Sequence, residues 1–257
     1  MNPEARAVNE PAAGRPAPRV VRLASSDALA EAVAGQLLER LLSRQQKGDV
    51  HLCLTGGRIA NRMYEALANL VPTTNLDPAR LHIWWGDERF VPVTDPDRNA
   101  TQSFGILART ITFAPGQTHP MPAQDGQRDA DEAAFAYSRE LGDTVFDVCL
   151  LGLGEDGHIA SLFPRHPSFT QSTSATVIGV SEAPKPPPDR MSLTLPAINR
   201  SRAVWVLVSG EEKSDAVARA LAGDVDLPSA AVSGTEETFW FLDADAASQL
   251  PRYNCLL

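Results

Sequence analysis

The sequence predicts an α/β protein whose sheet is mostly parallel and covered by helices on both faces. Three observations carry that expectation. Short, continuously apolar runs alternate with longer stretches of helical periodicity, several runs are too uniformly apolar to have a wet face, and they end in glycine or polar turns. With 257 residues, 43% of them hydrophobic, the chain can bury a full core, so one α/β domain over 19–257 is the simplest organisation. Residues 1–18, rich in Pro, Ala and Arg and without the apolar stretch of a signal peptide, read as a disordered tail.

Taken in order, Arg19 to Ala24 reads as the first strand. Asp27 to Arg44 follows as a helix, with Leu29, Val33, Leu37, Leu38, Leu41 and Leu42 on one face and Ser26 or Asp27 as its cap. Val50 to Leu54 is a strand that ends in Thr55-Gly56-Gly57-Arg58 and passes to a helix carrying Ile59, Met63, Leu67 and Leu70. Leu81 to Trp85 is a third strand, followed by the polar turn Gly86 to Arg89, a Pro/Asp-rich loop to Asn99 and a helix over Ala100 to Ala108. Residues 109–128 read as irregular, and Asp129 to Leu141 as a helix. Val145 to Leu151 is the next strand, and later ones fall at Thr176 to Val180, Arg190 to Leu195, Ala203 to Val208 and Phe239 to Leu242. Helices are expected over Glu211 to Ala222 and Ala244 to Leu250, while Ala183 to Asp189, with four prolines, is a loop. No internal repeat is present.

A formal net charge of −9 argues against a nucleic-acid partner and requires positive charge to be gathered locally wherever an anion is held. No run approaches the roughly 18 apolar residues of a membrane span. Cys53, Cys149 and Cys255 are odd in number and far apart, which points to free thiols in a reducing cytoplasm. Cys255, third from the end, does not fit a prenylation signal.

The most informative stretch is Leu150 to Pro164. An apolar run there ends in three closely spaced glycines, and Asp156 and His158 then stand at the mouth of a short helix. Ligands of open parallel sheets sit beyond the carboxyl ends of strands, where this cluster falls. Gly152 to Gly157 matches G-x-G-x-x-G, but Pro164 cuts the following helix short, and Glu155 and Asp156 put negative charge where a pyrophosphate would lie. A histidine at a helix start can simply cap or pack. Here Asp156 is near enough to orient the imidazole, which makes His158 a candidate general base.

Thr55-Gly56-Gly57-Arg58 is either a tight turn or an anion site built from backbone N–H groups, a helix N-terminus, a hydroxyl and a guanidinium. Lys213, in the first turn after Ser209-Gly210, is either a solvated lysine or the partner of a bound anion that relieves its conflict with the helix dipole. Asp87, Glu88, Arg89, Arg98-Asn99 and Asp189-Arg190 close or flank other elements. The five histidines show no metal-ligand spacing, and no G-x-S-x-G elbow is present.

Together these motifs resemble the 6-phosphogluconolactonase family. Leu54 to Gly57 is similar to its phosphate loop, Trp85 to Pro92 to its Asp-Glu-Arg segment, Asp97-Arg98-Asn99 to the loop that follows, and Gly152 to Pro164 to its Asp-Gly-His-x-Ala-Ser-Leu-Phe-Pro motif. Arg190 to Asn199 and Gly210 to Lys213 complete the resemblance, which spans residues 20–245. It implies a three-layer α/β/α fold with a Rossmann-like sheet, related to amino-sugar-phosphate deaminases and ribose-phosphate isomerases, with no cofactor and no metal. It further implies hydrolysis of 6-phospho-D-glucono-1,5-lactone, with His158 activating water and Asp156 orienting it. Thr55, Gly56, Gly57, Lys213 and Arg190 would hold the phosphate, Asp87 and Asn99 would belong to the substrate site, and Arg89 would serve either the phosphate or the oxyanion. Arg58 departs from the family's loop, which continues with Ser or Thr and then Pro. The implied partner is a phosphorylated sugar lactone, in a monomer or weak homodimer. The runner-up is a glucosamine-6-phosphate deaminase, whose motif carries a glutamate where this chain has Phe163; a non-catalytic sugar-phosphate binder is the other alternative.

Overall fold

The computed structural model describes residues 15–170 and 173–251. In chain order the elements are β1 (Arg19–Leu23), α1 (Ser26–Gln45), β2 (Val50–Leu54), α2 (Arg58–Leu70), β3 (Leu81–Trp85), β4 (Asp87–Arg89), α3 (Asn99–Leu107), β5 (Thr118–His119), α4 (Ala130–Leu141), β6 (Val148–Gly152), β7 (Val177–Val180), β8 (Arg190–Leu193), α5 (Leu195–Asn199), β9 (Ala203–Val208), α6 (Ser214–Leu221) and β10 (Glu237–Asp243). Seven strands form one sheet in the order β1-β10-β9-β6-β2-β3-β5, and every pairing in it is parallel. A small sheet, β4-β8-β7, is antiparallel.

Parallel strands need crossovers, and the crossovers supply the two outer layers. Alternate residues of β9 separate the layers: Ala203, Trp205 and Leu207 pack with α1, α2 and α3, whereas Val204, Val206 and Val208 pack with α4, α5, α6 and the small sheet. The result is the expected three-layer α/β/α architecture. Helix α1 buries Leu29, Val33, Leu37 and Leu41 at i, i+4 spacing, and α4 starts with a capping box between Asp129 and Glu132. Asp147 accepts the His51 N–H at 3.0 Å and locks β6 beside β2.

Several expectations are corrected. Ser25, rather than Ser26 or Asp27, caps α1, accepting from the Ala28 N–H at 3.2 Å. The polar turn at 86–89 is in fact strand β4, because Asp87 to Arg89 pair with Ser192 to Arg190 from a distant part of the chain. The irregular stretch 109–128 contributes the edge strand β5. Ala244 to Leu250 forms consecutive turns; a segment this short has few hydrogen bonds to repay helix nucleation, and Pro251 follows it. No helix follows His158 either. Ser161 donates its hydroxyl to Asp87 at 2.8 Å and its N–H to Ser192 at 3.1 Å, so tertiary partners take the groups a helix would use, and Ala160 sits at φ 47°. Of the expected 1–18 tail, residues 1–14 lie outside the described residues, and Arg15 donates to the Asn199 carbonyl at 2.7 Å. Cys255 also lies outside them.

Helix α3 owes its position to Glu88. This fully buried carboxylate accepts from the N–H groups of Asn99 at 2.7 Å and Ala100 at 2.9 Å, the first donors of α3, and lies 3.7 Å from Arg98. Burial pushes its carboxyl up, against Arg98 and the N–H donors, which favour its charge. Removing one partner of a buried ion pair leaves the other uncompensated, so Glu88→Ala is expected to cost about 3–5 kcal/mol. The check is the urea denaturation midpoint at unchanged slope; a loss below about 1 kcal/mol, the scale of an ordinary surface substitution, would show this network to be dispensable.

Candidate functional site

The carboxyl ends of β9, β6, β2 and β3 open onto one cavity of about 610 Å³. From β2 the chain moves outward to β3 and β5, and it returns through β6 to build the other side of the sheet, so the cavity lies at the switch point of strand order. Its wall carries Thr55, Gly56, Gly57, Arg58, Asp87, Arg89, Asn99, His158, Arg190 and Lys213. Of the residues expected at the site, only Asp156 stands behind the wall, where it touches His158. Six basic side chains line the cavity against three acidic ones, a local reversal of the chain's net charge of −9.

After β6 the backbone folds back on itself, with the Gly154 N–H donating to the His158 carbonyl at 2.9 Å and the Gly157 N–H to the Gly154 carbonyl at 3.0 Å. This turn sets His158 Nδ1 2.5 Å from Asp156 Oδ1. Residue 154 must lack a side chain, because a Cβ there would lie 2.0 Å from His158 Nδ1 and 2.6 Å from Asp156 Oδ1. Burial works against the Asp156 carboxylate, but the hydrogen bond and charge of His158 and the ammonium of Lys185 outweigh it and hold its pKa well below the usual carboxylate range. With Nδ1 bonded to a carboxylate, the imidazole is fixed as the tautomer whose Nε2 is free to take a proton. Phe163, fully buried, packs against the ring at a centroid distance of 4.7 Å.

On the other side of the cavity, Tyr64 holds the Thr55 peptide from both ends, accepting its N–H at 3.0 Å and donating to its carbonyl at 2.8 Å. Thr55 Oγ1 accepts the Gly152 N–H at 3.3 Å and ties the glycine loop to β6. Gly56 sits against Asn99, where an added Cβ would meet Oδ1 at 1.9 Å. Gly57 precedes α2 at φ 106°, and no side chain caps that helix, so its first N–H groups are available to an anion. Lys213 ends a short 3₁₀ turn before α6, and burial is the main reason its ammonium pKa is lowered. Arg58 extends into solvent, 3.5 Å from Glu212.

The Asp-Glu-Arg segment divides its labour. Asp87 is buried and accepts from Ser161 at 2.8 Å and from Asn99 at 3.3 Å, which makes both residues struts of the wall. Arg89 is anchored by Nη1 to the Asp97 carbonyl at 2.6 Å. Arg190 spends Nε and Nη2 on the carbonyls of Pro187, Lys185 and Pro186, at 3.0–3.1 Å. Sequence reasoning missed Lys185, which lies in the proline-rich loop and brings Nζ to 3.7 Å from Asp156 Oδ1. It also missed Arg62, which lines the cavity and bonds Ser26 and Asp27, both at 2.8 Å. A lysine inside a proline run carries no local signal of function, whereas Arg62 lies one helical turn beyond Arg58 and was within reach of that spacing. Among the described residues, no group of three His, Cys, Asp or Glu converges to hold a metal ion.

Comparison with known proteins follows the same lines. The family described as glucosamine-6-phosphate isomerases/6-phosphogluconolactonase matches residues 24–240. The 6-phosphogluconolactonase of Streptomyces coelicolor is 45% identical over 250 residues, covering 91% of this chain and 95% of that protein. That of Mycobacterium tuberculosis is 44% identical over 217 residues, covering 80% and 87% respectively. The crystal structure of 6-phosphogluconolactonase from Thermotoga maritima superposes with a TM-score of 0.76 at 27% identity, covering 87% of this chain and 98% of that one.

The Asp156 carboxylate has a testable pH signature. A carboxyl whose pKa is depressed by folding stabilises the folded chain above the unfolded value, and that contribution disappears as pH falls through the folded one. The stability deficit of Asp156→Asn is therefore expected to persist from neutrality down to about pH 4 and to shrink below it. Denaturation midpoints of both proteins across that range provide the check.

Proposed function

The chain belongs to the glucosamine-6-phosphate isomerase/6-phosphogluconolactonase family, and we propose from its site that it hydrolyses 6-phospho-D-glucono-1,5-lactone to 6-phospho-D-gluconate, the second step of the oxidative pentose phosphate pathway. The observation that carries this reading is the His158–Asp156 contact of 2.5 Å, with Phe163 rather than an acid against the imidazole. A deaminase needs a carboxyl at that place to shuttle protons in ring opening. A phenyl ring has no proton to give, whereas ester hydrolysis needs only one base and a means of stabilising the oxyanion.

Water attacks the lactone carbonyl carbon while His158 Nε2 takes its proton, and Asp156 stabilises the imidazolium that results. The tetrahedral intermediate collapses with loss of the ring oxygen, which recovers the proton from His158, so the base is regenerated. Arg89 supplies a hydrogen-bond donor to the oxyanion; such a donor contributes about 3–4 kcal/mol in other enzymes. The phosphate lies at the uncapped start of α2, against the N–H groups of Gly56 and Gly57, the Thr55 hydroxyl and Lys213. Arg58 adds long-range attraction at the mouth. Asp87 and Asn99 shape the wall and position Ser161 and Gly56.

The working compartment is a reducing cytoplasm, a placement supported by the buried free thiols of Cys53 and Cys149. No helix of the described residues is long and apolar enough to cross a membrane. The form proposed is a monomer or a weak homodimer.

The test is to follow lactone loss above its spontaneous hydrolysis. His158→Ala is expected to lose at least about 10²-fold in kcat. Lys213→Ala is expected to act chiefly on KM. Activity undiminished in His158→Ala would remove the proposed base, and ammonia release from glucosamine 6-phosphate would transfer the reading to the deaminases.

A further inference from the structure

We infer that Lys185 is a positioning residue for the Asp156–His158 pair, delivered to it by a loop that Arg190 grips. The inference rests on the hydrolytic reading above and adds two residues to its machinery. Asp156 Oδ1 meets two nitrogen donors: His158 Nδ1 at 2.5 Å and the Lys185 ammonium at 3.7 Å. Lys185 comes from the segment between β7 and β8, remote in sequence from both. Its loop closes on itself through the Ala183 N–H and the Pro188 carbonyl, at 3.0 Å.

Arg190, only 5% exposed, lies at the base of that loop and donates to three of its carbonyls, those of Lys185, Pro186 and Pro187. Its guanidinium also faces the Phe163 ring at 5.6 Å, and Phe163 packs on the imidazole of His158. One buried cation thus braces both the carrier of Lys185 and the apolar wall behind the base. Through Nε and Nη2 the guanidinium acts as a loop strut.

The chemical consequence is electrostatic. An ammonium beside the carboxylate favours its ionised form, the form that accepts from His158 Nδ1, and by Coulomb's law acts against a second positive charge on the neighbouring ring. Lys185 also lowers the Lys213 ammonium, together with Arg58, while Glu212 and Glu155 act in the opposite sense. Those groups stay in place in the variants below.

The experiment compares wild type, Lys185→Met and Lys185→Arg, reading the pH profile of kcat/KM for lactone hydrolysis and, in parallel, the NMR titration of the His158 ring. In Lys185→Met the acid limb and the ring titration are expected to move up together, on the order of one pH unit, so that kcat/KM on that limb falls about tenfold. KM should change little, and Lys185→Arg should restore both readouts. An unmoved ring titration overturns the inference whether or not the lactone is hydrolysed. A rise in KM with an unmoved acid limb also overturns it, and assigns Lys185 to phosphate binding. Wild type without lactonase activity but with the ring shift would instead refute the hydrolytic reading while leaving the positioning role intact. Arg190→Gln should shift the limb in the same direction and by less in the Lys185→Met background than alone, the remainder coming through Phe163; an undiminished additive effect overturns the gripping role.

Discussion

Parallel register across β3, β2, β6 and β9 is the constraint on which the site depends. The pairings Leu54 with Trp85, Cys53 with Cys149 and Gly152 with Leu207 bring the ends of these strands to one edge, and their loops then meet over a single cavity. A slip of one residue would reverse every side chain between the two faces of the sheet. That slip is opposed on both sides, since alternate residues of β9 are buried in separate cores.

Above that edge, buried polar groups act as struts rather than as reagents. Glu88 caps α3, Asp87 ties Ser161 and Asn99 to the wall, and Asn99 presses on Gly56. The Asp87 strut also keeps a loop backbone from adopting the structure its local sequence prefers. The segment after His158 fails to become a helix because Ser161 is bonded to Asp87 and Ser192. Positive charge is treated in the same manner. An acidic chain gathers cations at one edge, and Arg98 and Arg190 also brace the framework, through Nη2 to the Met121 carbonyl and through Nε and Nη2 to the β7–β8 loop.

Most of the helices and the strands of the main sheet were legible because their signals are local: apolar runs of strand length, i, i+4 apolar spacing, and glycine turns at strand ends. The Asp-Gly-His turn and the glycine loop were legible for the same reason, each being complete within a few residues. The small sheet was not, because β4 has three polar residues and becomes a strand only when β8 arrives to pair with it. Lys185 was hidden for a related reason, since it meets Asp156 only after the β7–β8 loop has closed.

By itself the sequence determined the fold class, the order of most elements, and the residues able to do chemistry at strand ends, including His158, Asp156 and the Thr55-Gly56-Gly57 loop. The tertiary structure alone decided how those residues are held, tying Asp87 to Ser161 and Asn99, fixing Arg190 to the β7–β8 loop and bringing Lys185 to Asp156. The physical reason is range. Periodicity and turn chemistry act over a few residues and are written in the order of the chain, whereas a hydrogen bond between Ser161 and Asp87, or an ion pair between Lys185 and Asp156, exists only once the sheet has brought distant loops within a few ångströms of one another.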